Sequence, residues 1–229
     1  VSELLLGLAG IGAYVGVPAE LADRMRAAVS GPALLAPDGA VDVGYEITDE
    51  GAGRYGLERN RGGLHRDADP DAIIHELTVD FAEIVHRRRP GSVIVRAGVV
   101  VVAGRAIVIV GPEGAGTSTL VAELVAAGGE LYADGLAAID GDGRVAATIT
   151  GPGPPGATVA PPSSAPVALV VETAFEAGVD WAPAEVTGAR AVLGLLRHLV
   201  GVGGTSPAAR AVSSRLADQV VELRGPRPD

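Results

Sequence analysis

An α/β fold with a small N-terminal α+β lobe is the fold class this sequence predicts, and three observations predict it. Residues 93–110 form two nearly continuous runs of β-branched residues, the pattern of strands buried on both faces. The second run leads straight into a glycine-rich turn and then a helical stretch, the order expected of an α/β core. Hydrophobic residues make up 48% of the 229-residue chain, which excludes a globally disordered polypeptide. The predicted division is an N-terminal lobe over residues 1–68 and the core, with C-terminal helices, over residues 69–229.

Each element follows from local chemistry. Ala19 to Val29 reads as a short helix ended by Ser30-Gly31-Pro32. Val41 to Thr48 and Tyr55 to Glu58 alternate like strands around the Asp49-Glu50-Gly51 turn. Asp69-Pro70 supplies an N-cap and a first helical residue. Ile73, Ile74, Leu77, Phe81, Ile84 and Val85 then mark one helix face. Arg87, Arg88 and Arg89 fall in its last turn, where cations complement the helix dipole, and this explains the triplet better than phosphate contact. The two strands within 93–110 join at Ala103-Gly104-Arg105, and a helix follows from about Gly116 to Ala127. Further strands are expected at Glu130 to Ala133, Leu136 to Ile139, Arg144 to Ile149 and Val167 to Val171. Asp140-Gly141-Asp142-Gly143 is a hairpin turn, and the Pro-, Gly- and Ser-rich stretch from Gly151 to Pro166 is a loop. Helices at Thr187 to Val200 and Pro207 to Gln219 precede a polar tail.

Composition removes whole classes of function. A formal charge of −10 argues against a general nucleic-acid binder, which needs a basic face. With no Cys there are no disulfides, thiolate metal sites or cysteine nucleophiles. All 18 basic residues are arginine, so no mechanism that depends on a lysine is available. The apolar stretch Leu4 to Val17 is interrupted by glycines and is too short to span a bilayer. A cytoplasmic protein with no membrane association is the expectation.

The motif carrying the chemistry is the turn after the second strand. Gly111-Pro112-Glu113-Gly114-Ala115-Gly116-Thr117-Ser118 fits the P-loop spacing GxxxxGK[ST] except that Thr117 replaces the lysine. Strand, glycine turn and helix let backbone N–H groups converge on phosphate oxygens, and the helix dipole favours the anion. Gly111, Gly114, Ala115, Gly116, Thr117, Ser118 and Thr119 are therefore candidate nucleotide-binding residues, with Ser118 placed to hold Mg²⁺. Glycines at such a turn also serve tight packing alone, so nucleotide binding itself stays open at this point.

From about Val43 onward the chain resembles the HPr kinase/phosphorylase-like family, a P-loop group related in core fold to phosphoenolpyruvate carboxykinases. The residues that carry the resemblance are Val95-Arg96-Ala97-Gly98 through Gly104-Arg105-Ala106, the P-loop, and Gly129-Glu130-Leu131-Tyr132-Ala133-Asp134-Gly135. The resemblance implies a P-loop core of the HPr kinase/phosphoenolpyruvate carboxykinase type and ATP-dependent phosphorylation of a serine-type hydroxyl on a protein, peptide or small molecule. ATP and Mg²⁺ are the implied cofactors. Asp134 inherits the base and metal roles of an acidic pair, with Ser118 as the second metal ligand.

The sequence departs from the family at the positions that do chemistry. Arg96 stands where a histidine is common, Thr117 where the lysine stands, and Gly135 where the second acidic residue stands. Glu113 adds a carboxylate inside the loop, which at about 4–6 Å from a triphosphate repels it by a few kcal/mol at an effective dielectric near 20. Losing one preorganised charge contact typically lowers the rate roughly 10²–10³-fold. Arg96, a candidate catalytic residue with Asp134, has three readings: it reaches the phosphates, pairs with Glu113, or caps a strand end in solvent. Two functions follow. One is a degenerate, HPr-kinase-like binding or regulatory pseudokinase with little phosphotransfer; the other is an atypical ATP-dependent hydroxyl kinase using Ser118, Asp134 and Arg96. A protein or peptide partner, or assembly with itself or an active relative, fits the first.

Other residues carry weaker signals. His65, His75, His86 and His198 show no metal-ligand spacing. Asp140 and Asp142 suit a hairpin turn better than a calcium site, and Ser163-Ser164 suit a loop better than a phosphorylation site. Trp181 is expected to pack against the core.

Overall fold

The computed structural model describes residues 2–8, 11–28, 41–112, 114–146, 164–175, 182–201, 206–217 and 221–227. Glu113, Ser163, Trp181 and most of the Pro-rich stretch lie outside them. The described chain builds two sheets.

The first sheet has five strands in sequence order: β1 (Ser2–Leu8), β2 (Ile11–Val17), β3 (Val43–Gly51), β4 (Arg54–Arg59) and β5 (Gly62–Ala68). The apolar stretch from Leu4 to Val17 belongs to the β1–β2 pair, and among the described residues no helix is long and apolar enough to cross a membrane. Helix α1 (Ala19–Ala28) matches the expected segment, and α2 (Pro70–Arg88) opens as the sequence predicts, with Asp69 accepting from the Ala72 amide at 2.9 Å. Of the terminal arginines, Arg87 pairs with Glu83 one turn back and Arg88 with the distant Asp42, so two of the three are held by carboxylates.

The core runs through the boundary drawn at residue 68. Ile73, Leu77, Phe81 and Val85 of α2 pack with Val15, Tyr45, Ile47 and Leu57 of the five-stranded sheet in one cluster. The apolar stripe of α2 is what closes that sheet. Tyr45 and Arg59 fasten the two layers by donating to the two oxygens of Asp80. The same cluster takes in Ile94, Leu136, Ala138 and Val200, so the lobe is seated on the second sheet.

That second sheet has seven strands ordered β11-β12-β10-β7-β6-β8-β9. They are β6 (Ser92–Val102), β7 (Arg105–Val110), β8 (Glu130–Asp140), β9 (Arg144–Ala146), β10 (Ser164–Phe175), β11 (Ala184–Thr187) and β12 (Val221–Arg227). β7, β10 and β12 run parallel, whereas β6 is antiparallel to both its neighbours β7 and β8. The sheet curls until β9 also meets the start of β10. One face carries Val93, Val95, Val99, Val108 and Val170 against Val192 and Leu195 of α4 (Ala189–Leu196) and Val212 and Leu216 of α5 (Pro207–Ala217). The other face carries Val100, Ile109 and Val171 against Val121 of α3 (Thr117–Ala126). The mixed α/β class is as expected.

Several elements differ from the sequence reading. Glu130 to Ile139 is a single strand, because Gly135 takes φ +123° and carries the chain through the predicted break. Ser164 to Pro166 open β10 instead of ending a loop, and the polar tail is β12, paired parallel with β10. α4 stops at Leu196, and the residues after it form part of the site.

Candidate functional site

β7 leaves the sheet at Gly111 and turns back as α3. Gly114 and Gly116 both adopt φ +78°, a left-handed conformation that glycine takes without steric cost. The Ala115 amide donates to the Pro112 carbonyl at 3.0 Å, closing the turn. A Cβ on Gly111 would stand 2.5 Å from the Thr173 carbonyl oxygen and 2.8 Å from the Ala115 Cβ, so the turn is pressed onto the end of β10. Gly116 is the N-cap of α3 and has no side chain to satisfy the first turn. The amides of Thr117, Ser118 and Thr119 accordingly lack intrahelical acceptors and face the loop end of the helix.

Beneath the helix, Gly98 of β6 lies between Ile109 of β7 and Asp134 of β8 in the register of the sheet. Directly opposite residues share a face, so Asp134 rises on the side that α3 covers. A Cβ at Gly98 would stand 2.3 Å from Val121 Cγ2 and 3.4 Å from Thr117 Cγ2. The missing side chain lets α3 settle close enough for Ser118 Oγ to donate to Asp134 Oδ1 at 2.9 Å. The two residues assigned to Mg²⁺ from sequence are thus brought together across 16 positions of chain.

Asp134 is buried at 6% exposure. Burial raises its carboxyl above the usual carboxylate range, and the Ser118 hydrogen bond pulls the other way. One carboxylate and one hydroxyl suit Mg²⁺, which retains waters and takes most of its remaining ligands from phosphate oxygens. Among the described residues no cluster of three or more acidic or histidine side chains offers a larger cage. Gly135 bears on the missing acidic partner: at φ +123° any L side chain is strained, so the backbone itself is set for glycine here.

Arg96 lies two residues before Gly98 on the same face of β6, paired with Leu136. Its neighbours along that face are Ile94, packed under the N-terminal lobe, and Gly98, under α3. Arg96 therefore sits in the seam between the two, at the outer end of the glycine turn. It is exposed and makes no ion pair with any described residue, while Glu113 lies outside them. Its exposure is that of a strand-end residue, on the face of β6 that also carries Gly98.

A residue the spacing rules missed stands beside it. Past Gly111 the edge of β6 is vacated, and residues 198–200 fill it: Val95 bridges Leu199, the Arg96 amide donates to the His198 carbonyl at 2.8 Å, and the Val200 amide donates to the Ile94 carbonyl at 2.9 Å. This register puts His198 opposite Arg96 on the same face. Burial holds the imidazole below its usual range; Glu172 favours its cation, while Arg197 and Arg96 oppose it. Among the described residues its Nε2 is buried without a hydrogen-bond partner, as is Thr173 Oγ1 near the end of β10. The reversal of chain direction after α4 brings His198 here, where the sequence predicts helix through Val200.

The remaining candidates keep local roles. His75 is exposed off the α2 stripe. Asp140 Oδ1 accepts from the Asp142 and Arg144 amides, which is turn chemistry. Ser164 accepts from Arg144 Nε at 2.9 Å as part of the β9–β10 junction.

If Arg96 supplies the cation that Thr117 cannot, Arg96→Ala weakens Mg·ATP binding roughly tenfold or more, the scale of one charge-assisted hydrogen bond, and leaves the melting temperature nearly unchanged. Lysine is a poor substitute, since only the guanidinium fork spans two phosphate oxygens. Calorimetric titration alongside a melting curve reads both quantities; a drop in melting temperature at constant affinity would restore the pairing with Glu113.

No family model matches this chain, and no curated protein matches it.

Proposed function

We propose that this chain is a nucleotide-binding P-loop protein of the HPr-kinase-like type, acting as a binding or regulatory subunit with weak phosphotransfer. The observation that carries it is the Ser118–Asp134 hydrogen bond at the foot of a helix entered through two left-handed glycines. That combination supports a phosphate cradle with an adjoining divalent-cation site. The exposed first-turn amides would meet the phosphates, and the donated hydrogen leaves the Ser118 oxygen lone pairs available to the metal. Ser118 and Asp134 would hold Mg²⁺, which would supply neutralisation of phosphate charge. Asp134 holds Ser118 in place and supplies the compensating negative charge.

Weak transfer follows from what surrounds the cradle. The lysine that would meet the β- and γ-phosphates is absent from the whole sequence. A second carboxylate at Gly135 is opposed by the backbone. A protein or peptide partner, or assembly with a second copy or an active relative, is the accompanying proposal. The placement of Arg96 favours a second reading, an ATP-dependent kinase of a serine-type hydroxyl, in which the guanidinium takes over the lysine's charge.

The test is Mg²⁺-dependent ATP binding and phosphate release by the purified chain and by Thr117→Lys. Binding that requires Mg²⁺, with turnover near background, is the expected wild-type result. Thr117→Lys is expected to strengthen binding severalfold, and more so with Glu113→Ser. No binding in any of the three overturns the proposal, and brisk turnover by the wild type selects the kinase.

A further inference from the structure

His198 is a titratable group that the nucleotide cradle does not use. Three facts converge on it. It faces Arg96 from the directly opposite position of an antiparallel pair, about 5.5 Å between Cα atoms for such a pair. It occupies the strand position continuing β7 along β6, beyond the point where the chain turns off into the glycine loop. Its Nε2 is buried with no hydrogen-bond partner among the described residues, a state that a polar ligand would relieve.

The charges around the ring are set against each other. Arg96 on β6 and Arg197 at the end of α4 oppose the imidazolium, and Glu172 on β10 favours it. Arg197 and Glu172 also lie 4.0 Å apart, so each partly answers the other. From α2, Glu83 packs near Gly201 and is paired with Arg87. With no ligand, burial decides and the ring is neutral at pH 7, which also spares Arg96 a like charge directly opposite. A phosphate dianion placed on Arg96 reverses that balance, since it adds negative charge where the two cations repel.

We propose that His198 is the proton-coupled member of the phosphate site: a phosphoryl group held by Arg96 at the outer end of the glycine loop draws one proton from solvent onto the imidazole, and the cation then holds the phosphoryl group with Arg96. The ligand class is a phosphate dianion, either the terminal phosphate of a nucleotide on the loop or free phosphate. The inference rests on the phosphate-binding reading of the loop but adds its pH dependence. Affinity should rise as pH falls between the raised imidazole value of the bound state and the lowered value of the free state. The limit is tenfold per pH unit for one proton taken up.

The experiment is calorimetric titration of the full chain with Mg·ATP, Mg·ADP and inorganic phosphate at pH 6, 7 and 8, in two buffers of different ionisation heat. Wild type is expected to take up a proton with ATP and to bind it several-fold more tightly at pH 6 than at pH 8, beyond the ligand's own titration. His198→Gln keeps a donor but does not titrate, so it should bind with that extra proton and that pH dependence gone; His198→Asn serves if the glutamine variant melts early. The effect with ATP but not ADP assigns the terminal phosphate of the nucleotide. The effect with inorganic phosphate, and no nucleotide binding at all, keeps this inference and overturns the nucleotide reading. Identical proton uptake in wild type and His198→Gln overturns the inference while leaving nucleotide binding intact. Absence of binding by all three ligands overturns both.

Discussion

Replacing Asp134 with asparagine is expected to stabilise the unliganded protein while abolishing the Mg²⁺-dependent nucleotide binding proposed for it. Asp134 is buried, and its carboxyl is raised by that burial, with only the Ser118 hydroxyl favouring the charged form. A group whose folded value lies above its unfolded one makes its largest contribution to stability in acid. That contribution is lost as pH rises through the folded value, so at pH 7 the ionised form is a net cost. Asparagine cannot ionise, and its side-chain oxygen still accepts from Ser118 Oγ. A gain of about 1 kcal/mol is typical of a single stabilising change, or about 2–4 °C in melting temperature for a chain of this size. The acid side of the stability curve should flatten with it. A cation held at Ser118 would, by contrast, lose the carboxylate that bonds Ser118 among the described residues. ATP titrated with and without Mg²⁺ should then give the same weak affinity. A variant that melts lower than wild type would mean that the Ser118 hydrogen bond to the carboxylate outweighs the cost of burying it, and the expected stabilisation would be overturned.

How far the sequence showed this depended on whether a signal was local. The capping of α2 by Asp69 and the phase of its stripe are settled within one or two helical turns, and the structure has them as read. Ser118 was singled out by the glycine turn and Asp134 by the family resemblance, and the structure joins the two by a hydrogen bond. β12 was not, since Arg224, Gly225 and Pro226 give it little strand character of its own, and pairing with β10 makes it a strand. β5 hid for a related reason: residues 62–66 are exposed on an edge, so no buried face marks them. Gly135 was read as a missing carboxylate, whereas its φ shows a backbone requirement that composition cannot express. His198 joins Arg96 only through tertiary pairing, which no spacing rule reaches.

Gly98→Ala should destabilise the protein and part Ser118 from Asp134 in the same step. The new Cβ would lie 2.3 Å from Val121 Cγ2, well inside any tolerated contact. Val121 is completely buried, and its branched side chain has no free rotamer to retreat into. The relief must come from α3 lifting off β6, which carries Ser118 away from Asp134. Overpacking of this kind costs about 1–3 kcal/mol. Replacing glycine returns some stability through the unfolded chain, about 0.4–1 kcal/mol, so the clash prevails and the melting temperature should fall by several degrees. Mg²⁺-dependent ATP binding should weaken at the same time, although no residue of the cradle has been altered. Val121→Ala alone leaves a cavity and also destabilises. Combined with Gly98→Ala it removes the atom in conflict, so the double variant should be more stable than the sum of the single losses by about 0.5–3 kcal/mol and should recover Mg²⁺-dependent binding. Simple additivity would show that α3 does not rest on Gly98, and the close approach that joins Ser118 to Asp134 would need another cause.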